Sequence, residues 1–188
     1  MPVLKVGPGW VAVMGVLYYV DPMGCFWPFV VAMLFHELGH CLALWLCRVP
    51  IQSVQLNLTG AVLETEAMEY HKELLCALAG PAASLLLVCA AQWFPKLALI
   101  SLFLAVFNLI PVPPLDGGRA LRAFLLLHCD TMTVAKILTV TSILCGTLLM
   151  ALSIWASVLL QGGLWPVLVA ALILCRVGLC IVSDRRNA

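Results

Sequence analysis

Cys25-Phe26-Trp27-Pro28-Phe29-Val30-Val31-Ala32-Met33-Leu34-Phe35-His36-Glu37-Leu38-Gly39-His40-Cys41-Leu42-Ala43-Leu44-Trp45-Leu46-Cys47 is an apolar run with His-Glu-x-x-His near its middle. On a helix, histidines four residues apart lie on the same face. That spacing suits two imidazoles gripping one zinc ion, with the adjacent Glu as base. At roughly 1.5 Å rise per residue the run spans about 35 Å, against a hydrocarbon core of about 30 Å. An ionisable cluster at membrane depth costs several kcal/mol by most scales, so it marks a functional site. The stretch predicts metal chemistry inside a membrane.

Composition points the same way. The 188 residues are 64% hydrophobic and 10% charged, with a mean hydropathy of +1.11, against about 25% charged in soluble domains. A separate soluble domain has no polar stretch to occupy, so residues 1–188 read as one integral-membrane domain. The formal net charge of +1 argues against nucleic acid as a partner, which needs a basic face. The run Trp10 to Val20 resembles a signal peptide, but Lys5 is the only charge before it and no small-residue cleavage site follows. It is read as a retained helix. The nine cysteines are scattered without CxxC pairs and read as small packing residues.

Breaks at Asp21-Pro22, Arg48-Val49-Pro50, Pro95-Lys96, Gly118-Arg119 and Gln161-Gly162-Gly163 divide the chain into apolar segments. These fall at about 8–20, 25–47, 72–94, 97–112, 133–160 and 164–183. The fold class is therefore an all-α polytopic membrane protein of about six transmembrane helices. With a cytoplasmic N-terminus, the inner side carries Lys5, Arg48, Lys72, Arg119, Arg122, Lys136, Arg185 and Arg186, and the outer side only Lys96. Arg176 sits near the inner end of the last segment. This positive-inside bias puts both termini in the cytoplasm. Between the second and third segments, Ile51 to Leu58 partly alternates in polarity, and Thr59-Gly60 can turn into Ala61-Val62-Leu63. A short membrane-associated β-hairpin is expected there, its edge able to pair with an extended peptide. Glu64, Glu66, Glu69 and Glu73 read as a solvated face.

A catalytic zinc usually takes three protein ligands and one open position, so two histidines need a partner. The candidates are His71, His128, Asp116 and the acidic loop. His71 lies among charges, and His128 precedes Cys129-Asp130 at a segment end. Asp116 follows Pro111-Val112-Pro113-Pro114-Leu115, which interrupts an apolar run. Non-helical backbone at membrane depth survives only when buried or lining a cavity. The Asp116-Gly117-Gly118 stretch is thus expected to be a shaped loop presenting a carboxylate inward. Counted from the outer side, His36 and Pro111 lie at comparable depths, about 17 and 21 Å.

His36-Glu37-Leu38-Gly39-His40 with Leu115-Asp116-Gly117 resembles the paired signature of the site-2 protease family of intramembrane zinc metalloproteases. Ala79-Gly80-Pro81-Ala82-Ala83-Ser84 resembles a further family element, and the likeness runs from roughly Lys5 to Arg122. The resemblance implies one zinc ion held by His36, His40 and Asp116, with Glu37 as general acid/base. Asn108 matches an Asn that the family often carries upstream of its LDG, implying contact with the substrate backbone. Two departures stand out. Ser84 replaces an Asn found in many members, and neither the PDZ insertion nor the CBS domain of other branches is expected. The compact form is similar to the sporulation-type branch, similar to stage IV sporulation protein FB.

The function this implies is hydrolysis of a peptide bond in or near the transmembrane segment of a membrane-protein substrate, in regulated intramembrane proteolysis. The implied setting is a bacterial cell membrane, where an integral membrane substrate is the partner and a membrane-embedded inhibitor or homo-oligomer has room to act. The rivals are a membrane metal transporter or sensor and a catalytically silent scaffold. A carrier needs ligands repeated along a path and has no use for Glu37. The charge bias yields the first prediction. Reporter fusions after Tyr70 should score cytoplasmic and fusions after Lys96 external; the same side for both would contradict the six-segment topology.

Overall fold

The computed structural model describes residues 3–57 and 60–159. They divide into two compact units at Asn108. The first begins with β1 (Val3–Val6) and α1 (Pro8–Tyr19), followed by α2 (Phe26–Leu46). Then come β2 (Ile51–Asn57), β3 (Gly60–Thr65), α3 (Tyr70–Val88) and α4 (Pro95–Asn108). The second unit contains α5 (Asp116–Leu126) and α6 (Thr131–Leu159).

The first unit is built inside out relative to a soluble bundle. The buried residues of α2 are Ala32, His36, His40 and Leu44, a single stripe at intervals of four. Its large apolar side chains, among them Leu34, Leu38, Leu42 and Trp45, are exposed. On α3 the buried set is Cys76, Ala77, Gly80, Pro81 and Ser84, and on α4 Ala98, Ser101 and Ala105. Small residues inside and bulky ones outside are what helices in lipid require. Lipid tails solvate the Leu and Trp side chains, while small residues let backbones approach closely. Gly39 shows how close. A Cβ there would stand 2.6 Å from the Ala79 carbonyl oxygen and 2.7 Å from Ala83 Cβ. Gly39 therefore serves the α2–α3 contact.

At one end of this unit, β2 and β3 form the expected antiparallel hairpin, with Gln55 opposite Val62 and Asn57 opposite Gly60. The sequence reading missed β1, which pairs parallel to β2 with Lys5 opposite Gln55. This sheet, ordered β1-β2-β3, sets Lys5 on the same side as the Arg48–Thr65 region. At the far end of α2, Lys96 Nζ donates to the Met23 carbonyl at 2.6 Å. Asp21 accepts from the N–H groups of Cys25 and Phe26 at 2.9 and 2.8 Å. Those bonds, the one from Cys25 foremost, hold its carboxyl below the usual range. Lys5 and Lys96 thus lie at opposite ends of the unit.

Six helices are described, though not the six segments expected. α2, α3 and α6 are long and apolar enough to cross a membrane, and α4 is a shorter apolar helix. The segment placed at 164–183 lies outside the described residues. α4 stops at Asn108 rather than at 112, because the prolines beyond it cannot continue the helix. Gly118-Arg119 is no break, and Asp116 stands on no loop: both lie in the first turn of α5. The turn tolerates the two glycines because the chain before it folds back against them. A Cβ on Gly117 would strike the Leu109 carbonyl, and one on Gly118 would strike Val112 and Pro113. Asp130 closes the following turn by accepting from the N–H and hydroxyl of Thr133 at 2.9 and 2.7 Å, which lowers its pKa. The described cysteines are all free.

Candidate metal centre

Both histidines of α2 are buried, 4% exposed at His36 and 6% at His40. Each must satisfy its polar edge within the protein, and α3 supplies the partners. His40 Nδ1 lies 2.7 Å from the Cys76 carbonyl oxygen. A carbonyl only accepts, so Nδ1 carries the proton and the Nε2 of a neutral His40 is left with its lone pair. His36 Nδ1 lies 2.9 Å from Ser84 Oγ. The two outer nitrogens are thus anchored, and the two Nε2 atoms converge to 3.2 Å, with the rings at 80° to each other. Two imidazoles bound to one tetrahedral zinc at about 2.0–2.1 Å would hold their nitrogens roughly 3.3 Å apart. The pair is already spaced for the ion.

Local sequence on α3 explains how the rings fit. Cys76, Gly80 and Ser84 recur every four residues and face the four-residue repeat of His36 and His40. Gly80 sits against the His40 ring, where a Cβ would overlap Nε2 and its neighbouring carbons. Pro81 lies inside α3, so one backbone N–H is missing from the turn that carries these contacts. Glu37 follows His36 but lies off the buried stripe and is partly exposed.

In the second unit, Asp116 is the first residue of α5 and is 8% exposed. A helix N-terminus favours negative charge, and Arg119 Nη1 lies 3.9 Å from Asp116 Oδ1. Asn108 ends α4, its Nδ2 donating to the Leu104 carbonyl at 3.0 Å. The other histidines lie at the surface. His71 Nε2 is 3.0 Å from Glu69 with 58% of its side chain exposed, and exposed His128 donates from Nδ1 to the Phe124 carbonyl. Glu64 is engaged across the hairpin, accepting from Ser53 and Gln55.

Sequence reasoning did not assign the roles of Ser84, Gly80 and the Cys76 carbonyl. The repeat 76, 80, 84 beside 36, 40 was the available signal, but only antiparallel packing of α2 on α3 gives it meaning.

Comparison with known proteins follows the same lines. The profile of Peptidase family M50 matches residues 89–152. Rip3 of Mycobacterium tuberculosis, named as a zinc metalloprotease, is 34% identical over 58% of this chain and 33% of its own length. A zinc metalloprotease of Methanocaldococcus jannaschii is 34% identical over 53% of this chain and 35% of its own. The chain thus spans about a third of the length of these relatives. Among solved structures, the site-2 protease from Methanocaldococcus jannaschii superposes with a TM-score of 0.62 at 24% identity, covering 93% of this chain and 88% of that one. The fold is that of a site-2 protease. The apolar helices and the family match together make this a membrane protein.

Gly80→Ala tests the packing of the centre. The added methyl must push the His40 ring aside, at about 1–3 kcal/mol of stability. Purified protein should then show a lowered Tm together with reduced zinc content. Parental values for both would show that α3 does not confine the ring.

Proposed function

This chain carries a domain of peptidase family M50, the site-2 protease family, and from that premise we propose that it is a zinc metalloprotease that cleaves membrane-protein substrates in or near their transmembrane segments. The observation that carries the reading is the anchored histidine pair, with its Nε2 atoms 3.2 Å apart. The ion's ligands are His36, His40 and Asp116, three buried side chains with the donor chemistry to hold it. When bound, zinc supplies Lewis-acid polarisation of the scissile carbonyl and makes water a nucleophile near neutral pH.

The chain's own residues do the rest. Cys76 and Ser84 keep the imidazoles turned inward, and the first turn of α5 presents Asp116 as a carboxylate. Glu37 accepts the proton of the attacking water and returns it to the leaving amine. Asn108 contacts the backbone of a substrate that has been unwound, since a helical peptide bond is shielded by its own hydrogen bonds. The outer edge of β3, which pairs with no further strand among the described residues, offers such an extended segment a strand to pair with. We place the N-terminus and the hairpin on the cytoplasmic side of a bacterial membrane, in line with the positions of Lys5 and Lys96. Regulated intramembrane proteolysis is the process this arrangement serves. The metal-carrier reading is weaker. A transport path needs several sets of ligands along its length, and the proposed set, His36, His40 and Asp116, is one.

Two variants test the assignment. Glu37→Gln keeps the side chain's size but cannot take up a proton at neutral pH. It should retain zinc and fold while cleavage of a co-expressed membrane substrate falls by about 10²–10⁴-fold; parental cleavage would refute Glu37 as the base. Asp116→Ala should lose most of its zinc by elemental analysis. Full occupancy would remove Asp116 from the ligand set.

A further inference from the structure

The chain leaves α2 through a sharp turn at Arg48. The Arg48 N–H donates to the Trp45 carbonyl at 3.0 Å and the Val49 N–H to the Leu44 carbonyl at 2.9 Å, the two bonds of a Schellman motif. The turning residue of that motif has a left-handed backbone and is usually Gly. Here it is Arg48, with φ 55°. Gly would relieve the strain, and strained residues gather at ligand sites. The Arg48 side chain lines an open cavity of about 240 Å³, smaller than the roughly 300–1,000 Å³ that drug-sized ligands occupy. Both stems of the hairpin form its walls: Arg48 to Pro50 lead into β2, and Glu66 to Glu69 lead from β3 into α3.

Two cations and two carboxylates line the cavity. Lys72 Nζ lies 3.9 Å from Glu69 Oε2. Arg48 and Glu66 differ: among the described residues neither stands within ion-pair distance of an opposite charge, nor of the other. Opposite charges that line one cavity without closing on each other leave room for a ligand carrying both signs. A free phosphate would meet repulsion from Glu66 along with attraction from Arg48, whereas a zwitterion is attracted by both. The position of the cavity selects the source of that zwitterion. The end of α2 leading into it exposes Leu42, Trp45 and Leu46, and the start of α3 exposes Tyr70. Trp and Tyr collect where a bilayer meets water, at the level of the headgroups. We propose that the cavity binds the headgroup of a zwitterionic aminophospholipid, its phosphate on Arg48 and its ammonium on Glu66, with the acyl chains along the apolar end of α2. A guanidinium fork suits phosphate oxygens. The bound headgroup ties the two stems of the hairpin together. Nothing in this site depends on the metal centre.

The test titrates the whole chain, purified in a neutral detergent, with dihexanoyl phosphatidylethanolamine, dihexanoyl phosphatidylglycerol and glycerophosphoethanolamine. Binding is read from the rise in Tm with ligand concentration. The ethanolamine lipid should raise Tm saturably and bind more tightly than either of the others. Arg48→Gly and Glu66→Gln should each weaken it about 10–100-fold, the loss expected for one hydrogen-bonded contact to a charged group. Arg48→Gly also keeps the fold, since Gly suits the left-handed turn, and its lipid-free Tm should equal or exceed that of the parent. Parental affinity for the ethanolamine lipid in Arg48→Gly would overturn the site. Equal affinity for phosphatidylglycerol, with Glu66→Gln unaffected, would overturn the zwitterion and leave a plain anion site. An equal response to glycerophosphoethanolamine would assign the cavity to a soluble phosphoester and overturn the lipid.

Discussion

Two imidazoles one turn apart in an apolar helix cannot leave their polar edges unpaired, and the first unit is arranged around that requirement. Both rings are buried, so their outer nitrogens find partners on the helix packed against them, α3. It supplies one backbone carbonyl and one hydroxyl, at Cys76 and Ser84. These partners must come within about 3 Å of the rings, which forces α2 and α3 together. Gly39 and Gly80 then follow, because a Cβ at either position would collide with the opposite helix or the His40 ring. The same contacts point both Nε2 atoms at one spot. Anchoring and metal spacing are one constraint.

The surface of the unit follows from the same logic. With polar and small residues spent on the interior, the exterior of α2 is left to Leu34, Leu38, Leu42 and Trp45, which are exposed in the protein and suited to lipid. A soluble zinc enzyme would have to bury them. The sheet, made of short and partly polar strands, collects at the end of the unit where Arg48 leaves α2.

Much of this was legible in the sequence, and the reasons differ by element. The helix that carries the histidine pair was, because the period of an α-helix makes His36 and His40 coincide on one face. The hairpin was, because Thr59-Gly60 separates two alternating runs. β1 was not: four residues carry little pattern, and a parallel partner some fifty residues away leaves no local trace. α5 was read as a break because Asp116-Gly117-Gly118 looks like a turn, and Gly disfavours helix interiors. Its first turn is stabilised instead by the chain folded against the glycines. Ser84 looked like a departure from a family Asn, yet a hydroxyl satisfies His36. That contact is between helices, and no spacing within one helix announces it.

The central claim is that α2 and α3 set two imidazoles to share one zinc ion, with a carboxylate completing the set. X-ray absorption at the zinc edge of the purified protein tests it most directly. The account predicts two imidazole nitrogens at about 2.0–2.1 Å, with the outer-shell scattering of their rings, oxygen at about 2.0–2.2 Å, and no sulfur. A sulfur shell at about 2.3 Å, or the absence of ring scattering, would contradict it and move the metal to the cysteines or out of the chain.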